Sequence, residues 1–450
     1  MDARVSPPPD AAERYPGLSP AGERMLRFLR EHPSAPIYRN ESGHRLTPDE
    51  VQRLLQREKD VLAASIDWPE AGEPPWVPPF LREITPRVAA YRADGDAELA
   101  ARPCISRANL SRDVTRFVPE ELPLDRLINF RTSGTTGHPL LLPSHPVVAG
   151  SYLAFHKRAL QRFGITLAHG SGQVGVVLVG FQEKCFTYTS VTPTMGESGL
   201  AKINLHPNDW HDPAHRSQYL EALAPEVYTG DPLSFAELLE LPLAARPRAL
   251  VSTSMALSEG LRRRLEDRFQ CPVLDVYSMN EAGPLAVYDE RRGGHVLLQD
   301  RMFVEVVDER GQRVPPGARG EVTLTGGFNF YLPLVRYRTG DYAALEKRDG
   351  EWTLVGLQGR PPVRFRTGQG AWKNNIELTH ALQRHALPQY TVHQERDGTV
   401  VFTTLGGFGA KAEVFADLAR VLGTDVTLEW VEVDRFPDKV VQYTSELPQP

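Results

Sequence analysis

The feature that most constrains the fold is an alternation of buried-strand and helix signals through the middle of the chain. Gln173–Phe181 carries the unbroken apolar run VGVVLVGF, and Ala249–Thr253 and Pro272–Tyr277 are shorter runs of the same kind. Between the last two, Leu257, Leu261, Leu265 and Phe269 recur at every fourth position, the period of a helix with one apolar face. Strands without polar alternation are covered on both faces. Strands of that kind separated by helices therefore predict an α/β fold with substantial parallel sheet. The texture changes at Phe303–Thr325, FVEVVDERGQRVPPGARGEVTLT, where apolar residues alternate around two Gly-containing turns. That pattern predicts an antiparallel β unit.

At 450 residues the chain exceeds one small core, so several domains are expected. The first 20 residues are rich in Pro and Ala and read as a mobile tail. Met25, Leu26, Phe28 and Leu29 mark a first helix, and Val51, Leu54 and Leu55 mark a second one behind a Thr47 cap. A proline-rich stretch, Glu73–Pro79, then closes this region. The expected division is a tail with a helical extension over 1–75, a large core over 76–359 and a small lobe over 360–450, joined at Gly359-Arg360-Pro361-Pro362. The fold class expected is thus α/β: a large N-terminal lobe of mixed sheets and helices with a β subdomain, plus a small mobile α+β C-terminal lobe.

Composition narrows the functional classes. Fifty-one basic against 57 acidic residues leave a formal charge of −6, which argues against nucleic acid or an anionic membrane as partner. Cys104, Cys185 and Cys271 are far apart and form no CxxC or Cys/His ligand spacing, so a zinc site or disulfide framework is not expected. The N-terminus has no apolar signal core, and no apolar run is long enough to span a bilayer, so a cytoplasmic location is the expectation.

Three stations carry chemistry. In Arg131–Pro139, RTSGTTGHP, glycines free backbone N–H groups to turn toward a polyphosphate, and Ser133, Thr135 and Thr136 add hydroxyl donors. The segment lacks the Gly-Lys-Ser/Thr ending of a P-loop. In Asp275–Glu281, DVYSMNE, a tyrosine at a strand end can stack on a purine and Glu281 can hold Mg²⁺ against phosphate oxygens. In Leu332–Asp341, LPLVRYRTGD, Asp341 follows a tight Thr-Gly turn and can accept two ribose hydroxyls, while Arg336 and Arg338 can face phosphate. Each station alone is also readable as a flexible turn or a surface charge. Arg360 and the late Lys439 complete the set.

RTSGTTGHP and LPLVRYRTGD, in that order, resemble the adenylate-forming acyl/aryl-CoA ligase superfamily, in its phenylacetate-CoA ligase-like branch. Residues 76–94 are similar to the leading helix of that branch, and Ile105–Phe117 is similar to the segment before its phosphate loop. The resemblance implies that Ser133, Gly134, Thr135, Thr136 and Gly137 embrace the β- and γ-phosphates of ATP. Tyr277 would stack on adenine, Asn280 would donate to phosphate, Glu281 would ligate Mg²⁺ and Asp341 would hold the ribose. Arg360 would stand at the lobe junction, and Lys439 would reach the carboxylate and α-phosphate. Ser254, Met255, Ser278 and Met279 would border the acid pocket. The sequence departs from the family pattern at Ser278, at Asn280, at Ser254-Met255, at Pro361-Pro362 and at Gln442, where the family places a basic residue.

The function implied is ATP-dependent adenylation of a carboxylic acid, aromatic by branch resemblance, with transfer to CoA or a carrier-protein thiol. A second reading keeps ATP but activates another oxyanion, such as nitrite, or hands the product to an amine. A third is a non-catalytic ATP-binding homologue. A homodimer is a branch-level expectation.

Overall fold

The computed structural model describes residues 10–131, 140–359, 363–436 and 441–448. Among them, thirteen strands join in one hydrogen-bonded sheet, and the apolar run at the centre of the sequence forms its middle. In chain order twelve of these strands are β1 (Val174–Gly180), β2 (Tyr188–Thr192), β3 (Ser198–Asn204), β4 (Val227–Gly230), β5 (Ala249–Ser252), β6 (Val273–Met279), β7 (Gly283–Asp289), β8 (Gly294–Leu297), β9 (Met302–Val307), β10 (Arg319–Gly326), β11 (Leu334–Arg348) and β12 (Glu351–Gly359). Their spatial order is β9-β10-β11-β12-β8-β7-β6-β5-β4-β1-β3-β2. The thirteenth is the short strand Ile105–Ser106, which lies parallel to β11.

The sheet has two halves. From β3 through β1, β4 and β5 to β6 every pairing is parallel. From β6 to β9 every pairing along the order is antiparallel. The change falls between β6 and β7, at the turn that carries Asn280 and Glu281. The expected α/β fold is therefore present. The helix anticipated from the four-residue spacing runs over Glu259–Phe269 behind a Ser258 cap and buries Leu261, Leu265 and Phe269. The antiparallel unit expected at Phe303–Thr325 is the β9–β10 pair.

The start of the chain corrects one expectation. Residues 10–20 are tied down rather than a mobile tail. Asp10 and Glu13 make a capping box on helix Ala11–Arg14, and the Tyr15 hydroxyl donates to the carbonyls of Ser42, at 2.8 Å, and Thr189, at 3.1 Å. Tyr15, Met25 and Leu29 then enter the core under β1 and β3. One buried tyrosine with two carbonyl acceptors outweighs the loop-like composition around it.

Residues 363–436 and 441–448 contribute a separate sheet, ordered Leu428–Val433, Val400–Leu405, Tyr390–Gln394, Tyr443–Ser445. Helices Asn375–Leu382 and Lys411–Leu422 cover it around a core of its own that includes Phe365, Leu378, Val392, Phe402 and Leu418. The Gly260 N–H, on helix Glu259–Phe269, donates to the Gln383 carbonyl at 2.9 Å. A Cβ at Gly260 would lie 2.3 Å from the His385 backbone, so only glycine lets these two segments approach this closely.

Candidate active site

The β6–β7 turn is held from several sides. Tyr152, on helix Pro146–Arg162, donates its hydroxyl to the Asn280 carbonyl at 3.2 Å. Gln299 donates to the carbonyls of Ala282, at 2.7 Å, and Pro284, at 2.8 Å. Gly283 has φ +70°, and a Cβ there would meet the Phe328 ring at 2.5 Å, so conformation and space both demand glycine.

Glu281 is 5% exposed. Its Oε1 accepts from the Tyr337 hydroxyl at 3.2 Å and lies 3.3 Å from an Arg107 guanidinium nitrogen. Those partners come from β11 and from helix Arg107–Arg112. The parallel pairing of Ile105 with Tyr337 sets the two side by side. Burial, together with the Glu281 charge, holds the Tyr337 phenol well above its ordinary range, so it stays a donor.

Asp341 stands on β11 after the Thr339-Gly340 turn. Its Oδ2 accepts from the Tyr277 hydroxyl at 2.7 Å, and its N–H donates to Thr339 Oγ1 at 3.0 Å. Asp341 pairs in register with Gly359, the last residue of β12. Burial raises its pKa from 3.8 to about 6. The charges of Glu321 and Glu281 add to the rise, and the Tyr277 hydrogen bond opposes it. The structure thus brings Tyr277 and Asp341 into contact, with Glu281 close enough to be felt electrostatically.

The other described candidates border this corner. Ser252 at the end of β5 pairs with Asp275 on β6, two residues before Ser254 and three before Ser278. Ser254 is exposed and has φ +72°, a conformation that serine adopts only when its surroundings hold it there. Met255, Ser278 and Met279 are half-buried and Asn280 is exposed. These ends lie at the carboxyl edge of parallel strands, where α/β sheets take ligands. Ser133, Gly134, Thr135, Thr136 and Gly137, Arg360 with Pro361-Pro362, and Lys439 lie outside the described residues.

Two arginines expected to face phosphate do not. Arg336 is 4% exposed and pairs with Glu305, itself 3% exposed, at 2.9 Å, while donating to the carbonyls of Arg102 at 2.9 Å and Gly311 at 2.5 Å. Its φ of +47° turns β11 locally, and that dense bonding holds the strained conformation. Arg338 donates through Nε to Glu321 Oε2 at 2.6 Å. Both serve the β-half of the sheet. Tyr337 between them, and Arg107, are the site residues that sequence reasoning passed over. Alternation along β11 separates Tyr337 from its two arginine neighbours and is the signal that could have found it. Nothing local marks Arg107, which lies 174 positions from Glu281.

A carboxylate is a hard oxygen donor of the kind Mg²⁺ takes, and Glu281 is inward-facing. Among the described residues no group of three or more His, Cys, Asp or Glu could hold a metal. One carboxylate fits the usual magnesium arrangement, in which phosphate oxygens and waters supply the remaining ligands. Arg107, already at 3.3 Å, would share that carboxylate.

The family model described as "AMP-binding enzyme" matches residues 81–331, more than half of the chain. The chain belongs to the AMP-binding enzyme family. The match runs from helix Val77–Arg87 to just before β11 and includes Tyr277 and Glu281 but not Asp341. The adenylate-forming, phenylacetate-CoA ligase-like character expected from the motifs agrees with the relatives. A phenylacetate-coenzyme A ligase of Pseudomonas putida is 34% identical over 92 residues, covering 20% of this chain and 21% of that protein. One from Thermus thermophilus is 24% identical over 327 residues, covering 67% and 69%. The first of these matches therefore spans about a fifth of the relative's length. In fold, the chain is similar to a 2-hydroxyisobutyryl-CoA ligase solved in the postadenylation state, with TM-score 0.59, 17% identity and coverage of 88% of this chain and 89% of that one. No helix among the described residues is long and apolar enough to cross a membrane.

Proposed function

We propose that this member of the AMP-binding family is an ATP-dependent ligase that adenylates a carboxylic acid, an aromatic one, and passes the acyl group to the thiol of CoA. The observation that carries this reading is the corner where the β6–β7 turn meets β11. There two motifs 64 residues apart meet through the Tyr277–Asp341 hydrogen bond, and Glu281 is held beside them.

In this reading Asp341 accepts the ribose hydroxyls. The Tyr277 hydroxyl already bonded to it fixes the carboxylate and presents the tyrosine ring to the adenine. Asn280, exposed on the turn, donates toward phosphate. Glu281 holds Mg²⁺, which when bound neutralises charge on the phosphate oxygens. Tyr337 and Arg107 orient Glu281. Ser133, Gly134, Thr135, Thr136 and Gly137 cradle the β- and γ-phosphates. Arg360 and Lys439 belong to the junction and the small lobe, with Lys439 meeting the charge that develops at the α-phosphate. Ser254, Met255, Ser278 and Met279 border the acid. The substrate carboxylate attacks the α-phosphorus, and the bond to pyrophosphate breaks. A thiolate then attacks the acyl carbon, and AMP leaves as the bond between that carbon and the phosphate oxygen breaks. Most of the protein's work is positioning and charge neutralisation.

Substrate-dependent ATP–pyrophosphate exchange over a panel of aryl and alkyl carboxylates tests the first step, and exchange with at least one aryl acid is expected. A panel that supports none would sink carboxylate activation. Mass spectrometry with CoA, an aryl amine and nitrite offered in parallel tests the acceptor, and a CoA thioester is expected.

A further inference from the structure

A cavity of about 620 Å³ opens beside the β6–β7 turn, and none of the residues assigned to nucleotide, metal or acid lines it. Five aromatic side chains line it: Trp76 and Phe80 from helix Val77–Arg87 and the residue before it, Phe155 from helix Pro146–Arg162, and Phe328 and Phe330 from the β10–β11 connection. The rings meet edge-on or tilted, with Trp76–Phe80 at 6.0 Å and Phe155–Phe328 at 5.9 Å, and the Arg301 guanidinium stands 5.8 Å from the centre of the Trp76 ring. The volume lies within the range of ordinary small-molecule pockets.

The polar lining is unbalanced. Arg57, Arg87 and Arg301 face Glu83 and Asp300, an excess of one positive charge. Arg87 is bound to Glu83 at 2.7 Å, and Arg301 lies 3.7 Å from Asp300. Arg57 is left over. Its guanidinium stands 6.0 Å from the centre of the Phe155 ring and has no hydrogen bond or ion pair with another described residue. Trp76 Nε1 is buried and likewise has no acceptor among the described residues. A buried donor without a partner is uncommon, and its natural complement is a ligand acceptor.

We infer that this cavity is a binding site for a small aromatic monoanion, with the ring between Trp76, Phe80 and Phe328 and the acid group toward Arg57 and Trp76 Nε1. It is distinct from the acid pocket at Ser254 and Ser278 and does not depend on the reading of that site. Phe328 and Gln299 line the cavity and also hold the turn that carries Glu281, so the two sites share a wall.

The test uses the full chain and 1-anilinonaphthalene-8-sulfonate, a fluorescent aromatic monoanion, as the probe. One saturable site is expected. Arg57→Gln should weaken binding roughly tenfold, the loss of one charged hydrogen-bond partner, and Trp76→Phe should weaken it by a smaller factor. Gly327→Leu should abolish it, because a Cβ at Gly327 already lies 3.1 Å from the Phe80 ring and a longer side chain would fill the space. Circular dichroism and melting verify the fold of each variant. Arg57 is exposed, so its substitution keeps the test open even if Gly327→Leu does not fold. Basal pyrophosphate exchange in Arg57→Gln should match that of the unaltered chain. The inference is overturned if the unaltered chain binds no probe, if Arg57→Gln and Gly327→Leu bind it as tightly as the unaltered chain, or if uncharged 1-anilinonaphthalene binds equally well.

Discussion

Two carboxylates meet at the seam of the large sheet, and they are held in opposite ways. Glu281 is buried against a tyrosine from β11 and an arginine from the segment after Ile105–Ser106, and each places a polar hydrogen or positive charge on its Oε1. Among the described residues Asp341 has one side-chain donor, Tyr277, and burial lifts its pKa to about 6. The same element, β11, supplies Tyr337 to the first and carries the second. The difference lies in the partners: Glu281 has a guanidinium and a phenol beside it, whereas the Asp341 pKa is raised chiefly by burial, with the Glu321 and Glu281 charges adding to the rise. The first corner suits a metal, and the second suits hydroxyl groups that can donate to it.

Substitutions can break this comparison, and the largest effect is expected at the metal corner. Glu281→Gln keeps the shape and removes the charge, and pyrophosphate exchange should fall about 10²–10³-fold, the scale for losing one preorganised electrostatic group. An equal loss from Asp341→Asn would show that the corners do not differ in role. Asp341→Asn is expected instead to raise the KM for ATP about tenfold or more, through the lost charged hydrogen bonds, with a smaller change in kcat. Steady-state kinetics at saturating acid separates the two outcomes.

Tyr337→Phe is a smaller perturbation. It removes one of the two neighbours that orient Glu281 and should lower kcat about five- to tenfold, with magnesium dependence shifted to higher concentration. If magnesium titration is unchanged, Tyr337 has no part in positioning Glu281. The smallest effect is in pH. ATP affinity should rise as the pH increases through about 6, the point where Asp341 ionises. Tyr277→Phe should move that rise to higher pH, because the phenol stabilises the anion, and Asp341→Asn should flatten it. The sign for stability is opposite. A carboxyl whose folded pKa exceeds its ordinary 3.8 favours the fold while protonated, and that contribution is lost as pH rises from about 4 through 6. Melting temperature against pH in the unaltered chain and in Asp341→Asn checks it.

Much of the scaffold was legible in the sequence. The apolar run of β1 and the four-residue spacing of Leu261, Leu265 and Phe269 are periodicities that survive in the fold because burial on one or both faces imposes them locally. The stations around Tyr277 and Asp341 were legible as well, since a strand end followed by a polar turn is a local arrangement. The beginning of the chain was not. Its composition resembles a loop, and only the distant Thr189 carbonyl and the core beneath β1 and β3 explain why Tyr15 is anchored.

The sequence by itself determined the alternation that gives the parallel half of the sheet, the hairpin-like β9–β10 unit and the identity of the groups proposed to meet a nucleotide. Tertiary structure decided which charges were available to it. Arg336 and Arg338 flank Tyr337 and look equally suited to phosphate, yet Glu305 and Glu321 from neighbouring strands neutralise both. Arg107, with no local mark, is carried to Glu281 by a two-residue parallel strand. Side-chain type and spacing fix what a residue can do. Pairing between strands distant in sequence fixes which partners satisfy it first, because a buried charge takes the nearest opposite charge that the fold presents.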